Sequence, residues 1–257
     1  MNTIQRILIL PSVFFMASAG LAQQASPAAG NPAVIPTPRT EDWAMAGHET
    51  SLANNRTNPN LQVVFLGDSI THGLQFGPGA EVWREHFAPL NAAVFALPGD
   101  KTQNILWRIK DGGELNGLHP KVVVVLAGIN NLTAKNTPEE TAAGVASIIH
   151  EIEARLPGAK ILLMGVFPCW ERDSVQKTNA IIAKLEDLKQ VYFLDIGFKF
   201  IEPDGTISKS VLKDGIHPSE EGYQIMAKAM QPYFEDLFNN DGQGELWKKR
   251  VDGKPAN

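Results

Sequence analysis

The chain has 257 residues, 44% of them hydrophobic, with 23 Lys and Arg against 28 Asp and Glu and a formal net charge of −5. That length suits one sizeable domain with a full core, and without a Lys/Arg-rich block the chain lacks the electrostatic footprint of a nucleic-acid binder. The lone Cys169 excludes an internal disulfide, so stability must come from packing; the residue itself reads as a small buried side chain after an apolar run.

The opening residues, MNTIQRILILPSVFFMASAGLAQQ, carry one basic residue, Arg6, then an apolar stretch broken by Pro11, then small residues. This is the pattern of a secretory signal peptide over 1–22, with Ala17-Ser18-Ala19 and Gly20-Leu21-Ala22 as alternative cleavage sites. The apolar stretch is too short for a comfortable span, so no stable membrane anchor is expected and the protein should be secreted or periplasmic; an uncleaved anchor is the alternative. Residues 23–40 are rich in Ala, Pro and small polar residues and read as a flexible or extended leader. A short helix over EDWAMAGHETSLANN completes a leader region of 23–59.

From residue 61 short apolar runs alternate with segments of helical period. The runs are LQVVFL (61–66), AAVFAL (92–97), KVVVVLAG (121–128), KILLMGV (160–166) and VYFLDI (191–196). Helices are expected near 79–88, 102–112, 138–156, 174–189 and 219–238. Thr137-Pro138-Glu139-Glu140 supplies an N-cap, a proline at the first helical position and acids in the first turn, and Pro157-Gly158 stops that helix. Continuous apolar strands require a sheet buried on both faces, and the alternation predicts a parallel, doubly wound α/β domain over 60–238. The tail, 239–257, is polar; its faint echo of a calcium loop fails because Arg250 stands where Glu is needed.

In an open parallel sheet, ligands bind beyond the carboxyl ends of the strands, so the residues after each strand are the ones to inspect. After the first come Gly67, Asp68 and Ser69; after the second, Gly99 and Asp100; after the third, Gly128, Asn130 and Asn131. Late in the chain KDGIHPSEEGY offers Asp214 and His217, with Pro218 biasing His217 away from helical geometry and Ser219 placed to cap the last helix. Taken singly, each is an ordinary turn or cap. Together they put a hydroxyl, an imidazole, a carboxylate and amide donors at one sheet edge.

VVFLGDSITHG, followed in order by PGDKT, LAGINN and DGIHP, resembles the SGNH/GDSL hydrolase superfamily. The stretch from Glu81 to Ala134 is similar to the catalytic α-subunit type of platelet-activating-factor acetylhydrolase. The resemblance covers about 61–238 and implies a three-layer, flavodoxin-like domain with a five-stranded parallel sheet flanked by helices. It implies Ser69 as nucleophile, His217 as base and Asp214 as acid, with the Ser69 and Gly99 N–H groups and the Asn130 amide as oxyanion donors. Exported relatives of this type resemble carbohydrate O-acetyl esterases. The chain departs from the pattern at Ala96 and Pro98, in a block that is commonly glycine-rich, and at Lys101, usually a small hydroxyl residue. His72 has no assigned role and reads as a rim residue.

The chemistry expected is ester hydrolysis through an acyl-enzyme. His217 removes the Ser69 proton and returns it to the leaving alcohol, while Asp214 orients the imidazole. The substrate would be a small-molecule or polysaccharide acyl ester, short-chain and acetyl first; a lipid or thioester acyl group is the alternative with the same residues. A non-catalytic glycan-binding module on this fold is a third reading. The G-x-S-x-G elbow of the α/β-hydrolases is missing, and neither a metal nor a cofactor is expected, because H-E-x-x-H and phosphate-loop glycine spacing are missing too.

Overall fold

The five apolar runs form β1 (Val63–Gly67), β2 (Ala92–Ala96), β3 (Val122–Leu126), β4 (Lys160–Met164) and β5 (Val191–Leu194) in a computed structural model of the chain. The structure describes residues 30–239 and Gly244. The expected signal peptide, the start of the leader and nearly all of the tail lie outside the described residues.

All strand pairs are parallel, in the order β2-β1-β3-β4-β5. Every residue of β1 and β3 is buried, as a sheet covered on both faces requires. The chain runs from β1 outward to β2, then crosses back to lay β3 on the other side of β1. That reversal opens a crevice between the carboxyl ends of β1 and β3, where α/β sheets of this order hold ligands.

The helices are α1 (Asp42–Thr57), α2 (Ser69–Phe76), α3 (Ala80–His86), α4 (Thr102–Lys110), α5 (Ile129–Thr133), α6 (Pro138–Arg155), α7 (Arg172–Ile182) and α8 (Glu220–Asn239). Helix α6 packs between α4 and α7, whereas α3 packs with α2 and α8. Phe65 of β1 meets Trp83 and Phe87 at ring-centroid distances of 5.4 and 5.0 Å and Phe234 at 6.3 Å. These contacts lock α8, and the loop before it, onto the strand that leads to Ser69. The expected cap of α6 forms: Thr137 Oγ1 accepts from Glu140 N–H at 3.1 Å and Glu140 Oε2 from Thr137 N–H at 3.0 Å.

Several elements differ from expectation. Helix α1 runs 16 residues, and the turn expected at Ser69 is the first residue of α2. Helix α7 ends at Ile182 with a 3₁₀ turn over Ala183–Leu185, short of the expected residue 189. There Asp187 Oδ1 accepts the N–H groups of Lys189, Gln190 and Val191 at 2.8–2.9 Å, a local competitor that ends helical bonding. Residues 30–40, expected to be a leader without packing of its own, lie along α4 and α6. Thr102 Oγ1 donates to Ala33 O at 2.9 Å, Asn104 Nδ2 to Thr37 O at 3.0 Å and Asn31 Nδ2 to Glu140 O at 3.1 Å. Ala33 is fully buried, which composition alone does not reveal. Cys169 is buried as expected.

Candidate active site

The junction of β1 and α2 is built on Gly67 and Asp68. A Cβ on Gly67 would stand 2.1 Å from Thr71 Oγ1 and 2.7 Å from Leu126 O, so only glycine lets the strand turn directly into the helix. Asp68 is the N-cap: its Oδ1 accepts from Ile70 N–H at 3.0 Å. Ser69 therefore occupies the first helical position, where no described residue accepts from its backbone N–H, as at any helix start.

From 148 residues away, His217 Nε2 reaches Ser69 Oγ at 2.8 Å, and His217 Nδ1 lies 2.6 Å from Asp214 Oδ2. An ionised carboxylate can only accept, so Nδ1 carries the proton on the Asp214 side and leaves Nε2 to accept from the serine hydroxyl. Asp214 Oδ1 accepts from Ile216 N–H at 3.0 Å and His217 N–H at 2.8 Å. Partial burial pushes this carboxyl up, but the His217 backbone, its ring and Ile216 N–H outweigh it and hold the pKa at about 2. A bridge between Leu212 and Pro218 closes the loop. Ser219 Oγ donates to Ser210 O at 2.7 Å, and Tyr223 OH donates to Ile70 O at 2.7 Å, tying the start of α8 to α2. The His217 and Asp214 side chains are 45% and 59% exposed, so the pair faces solvent where substrate can approach.

The loops after β2 and β3 complete the edge. Gly99 has φ +80°, the left-handed region that favours glycine, and no described residue accepts from its N–H. Asn130, on α5 behind Gly128, donates from Nδ2 to Asp100 O at 2.9 Å, and its second amide hydrogen stays free for another acceptor. His72 packs against Phe76, with ring centroids 4.9 Å apart, and its ring makes no hydrogen bond to Ser69 or His217 among the described residues; burial pulls its pKa down.

Beneath these loops lies a buried ionic cluster that the sequence reading missed. Arg108, only 1% exposed, donates from Nε to Asp100 Oδ2 at 2.9 Å, from Nη1 to Phe95 O at 3.2 Å and from Nη2 to Gly67 O at 3.3 Å. It also pairs with Glu114, which in turn meets His48 Nδ1 at 2.7 Å. One side chain thus ties the ends of β1 and β2 to the turn carrying Gly99. The available signal was Arg108 standing beside the apolar stripe of Ile105, Leu106 and Ile109. Asp68 is also fully buried, with Oδ2 unpartnered. Burial raises its pKa to about 7 against the pull of Ile70 N–H, with Asp100 adding repulsion and His217 opposing. Among the described residues no group of three or more His, Cys, Asp or Glu is arranged to hold a metal ion.

Residues 65–225 match the model of the GDSL-like lipase/acylhydrolase family. The chain belongs to that family. It is 34% identical over 226 residues to platelet-activating factor acetylhydrolase IB subunit alpha1 of Bos taurus, covering 83% of this chain and 94% of the relative. Against the alpha2 subunit of Rattus norvegicus it is 36% identical over 218 residues, covering 81% and 92%. The fold is shared with a GDSL-like lipase from Bacteroides thetaiotaomicron (TM-score 0.60, 22% identity, 74% of this chain and 98% of that one). An acetylxylan esterase from Geobacillus stearothermophilus shares it too (TM-score 0.52, 16% identity, 70% and 96%). This GDSL-family hydrolase thus has the α/β domain that the sequence resemblance implied.

Proposed function

We propose that the protein is a serine esterase that removes short acyl groups, acetyl foremost, through an acyl-enzyme on Ser69. The observation that carries this reading is the unbroken chain Ser69 Oγ, His217, Asp214 at 2.8 and 2.6 Å. Attack on the ester carbonyl needs the hydroxyl proton removed as the bond forms, and His217 Nε2 is in place to take it. Asp214, ionised above about pH 2, stabilises the resulting imidazolium. Charge gathers on the carbonyl oxygen, and the unoccupied Ser69 and Gly99 N–H groups with the spare Asn130 hydrogen serve as its donors. The imidazolium then protonates the leaving alcohol. Water, activated by the same imidazole, releases the acid.

Acetyl is the acyl group named in the acetylhydrolase relatives at 34–36% identity. For the alcohol we propose a carbohydrate, reached outside the cell through the signal-peptide pattern of residues 1–22. The relatives' naming for platelet-activating factor favours a lipid acetyl ester as the second reading. The test is acetate release from acetylated polysaccharides and from an acetylated phospholipid, beside p-nitrophenyl acetate and longer p-nitrophenyl esters. Turnover is expected on acetyl esters, with a preference for polysaccharide, and loss in Ser69→Ala. Equal or better turnover of long acyl chains would defeat the acetyl assignment, and undiminished hydrolysis by Ser69→Ala would defeat the nucleophile.

A further inference from the structure

The arm that precedes α1 delivers an arginine to the turn carrying Gly99. Arg39 Nη1 donates to Pro98 O at 3.3 Å and to Asp100 Oδ1 at 3.4 Å. The same nitrogen stands 3.4 Å from where a Cβ on Gly99 would lie. The guanidinium is itself held in place. Its Nε and Nη2 donate to the Glu41 carboxylate at 2.7–3.2 Å, and its Cζ lies 5.1 Å from the centroid of the Trp43 ring, within cation–π range. The arm is fastened upstream by Thr37 N–H to Gln103 O at 3.0 Å and by the bonds of Thr102 and Asn104 described above.

Pro98 C=O and Gly99 N–H belong to one planar trans peptide, so they point in opposite directions. Holding the carbonyl fixes the direction of the N–H. At φ +80° the residue lacks a side chain that could anchor that plane, so the anchoring must come from outside the turn. Arg108 grips Asp100 Oδ2 from within and Arg39 reaches Asp100 Oδ1 from the arm, while Asn130 takes Asp100 O. We infer that Arg39 is a positioning residue: it clamps the Pro98–Gly99 peptide so that the Gly99 N–H is aimed at the oxyanion before substrate arrives. This rests on the proposed role of Gly99 in ester hydrolysis. It makes residues 30–40 a working part of the site.

The test compares Arg39→Ala and Arg39→Lys with wild type and Ser69→Ala in the full chain. Three readings are taken: kcat and KM on p-nitrophenyl acetate, the melting midpoint, and the ¹⁵N order parameter of Gly99. Arg39→Ala should lose about 10–100-fold in kcat, less than removal of a donor outright, with KM within about twofold. Lysine, a point charge without the planar fork, should recover only part, and added guanidinium ion should restore part of the alanine variant's kcat. The Gly99 order parameter should fall from about 0.85 toward about 0.6, read without any substrate. An unchanged order parameter, or a mobile Gly99 with unchanged kcat, overturns the clamp. So does a kcat loss that tracks a lowered melting midpoint and is not rescued. Failure of wild type to cleave esters in a Ser69-dependent way would instead sink the esterase reading, and the order parameter would still decide whether Arg39 holds the peptide.

Discussion

Replacing Asp68 by Asn isolates the effect of burying an unpartnered carboxyl beneath the nucleophile. Asn keeps the size of the side chain and an Oδ1 to accept from Ile70 N–H, the bond made at 3.0 Å, but it cannot ionise. In the fold the Asp68 pKa rises from 3.8 to about 7, so the folded state holds a proton that the unfolded chain has released. Stability from this group is full below the unfolded value, falls as pH climbs through the window, and levels off above about 7. A shift of roughly three units corresponds to up to about 4 kcal/mol. The Asn amide, left unpaired where Oδ2 is unpaired now, costs about 1–3 kcal/mol at every pH. The assay is urea unfolding of wild type and Asp68→Asn at about pH 4 and about pH 8, with the difference between proteins cancelling the other titrating groups. The variant should gain up to about 4 kcal/mol on wild type between the two conditions. A difference between the two proteins that does not change with pH refutes the reasoning, because it would mean that Oδ2 is not charged at a cost in the folded protein.

Three further outcomes follow from the site. Asn130→Ala should lower kcat by about 10²–10³ with little change in KM, because the donor acts on the oxyanion and not on the ground-state ester; steady-state kinetics on p-nitrophenyl acetate checks it. Gly67→Ala should destabilise by about 1–3 kcal/mol or more, seen in denaturant melts, because the Leu126 carbonyl, 2.7 Å from the new Cβ, is backbone and cannot rotate away. Arg108→Met should cost about 3–5 kcal/mol by leaving Asp100 and Glu114 buried without their cation, and Arg108→Lys should restore only part of it. Both would show in the unfolding midpoint.

Much of the fold was legible in the chain itself. The five apolar runs became five strands within a few residues because a strand covered on both faces must be continuously apolar, and Thr137 and Ser219 cap their helices because few residue types can. Ser69, Gly99, Asn130, Asp214 and His217 belong to a wider set that follows a strand or enters a helix, which parallel topology brings to one edge; the resemblance to the GDSL family is what singled them out from neighbours such as Asp100 and Asn131. The ordering of that edge was not legible. Asp68 accepting from Ile70 N–H turned an expected bend into helix, and Asp187 stopped α7 early, each by a hydrogen bond whose partner sequence patterns leave unspecified. The Arg108, Asp100, Glu114 and His48 cluster and the reach of Arg39 to Pro98 join residues up to 66 positions apart. Local periodicity carries no information about such distant charges. By itself, then, the sequence determined the strands, their parallel stacking and the chemical kinds of group at their ends. Only the tertiary structure decided which charges meet beneath the loops, because burial of a charge depends on every element packed around it at once.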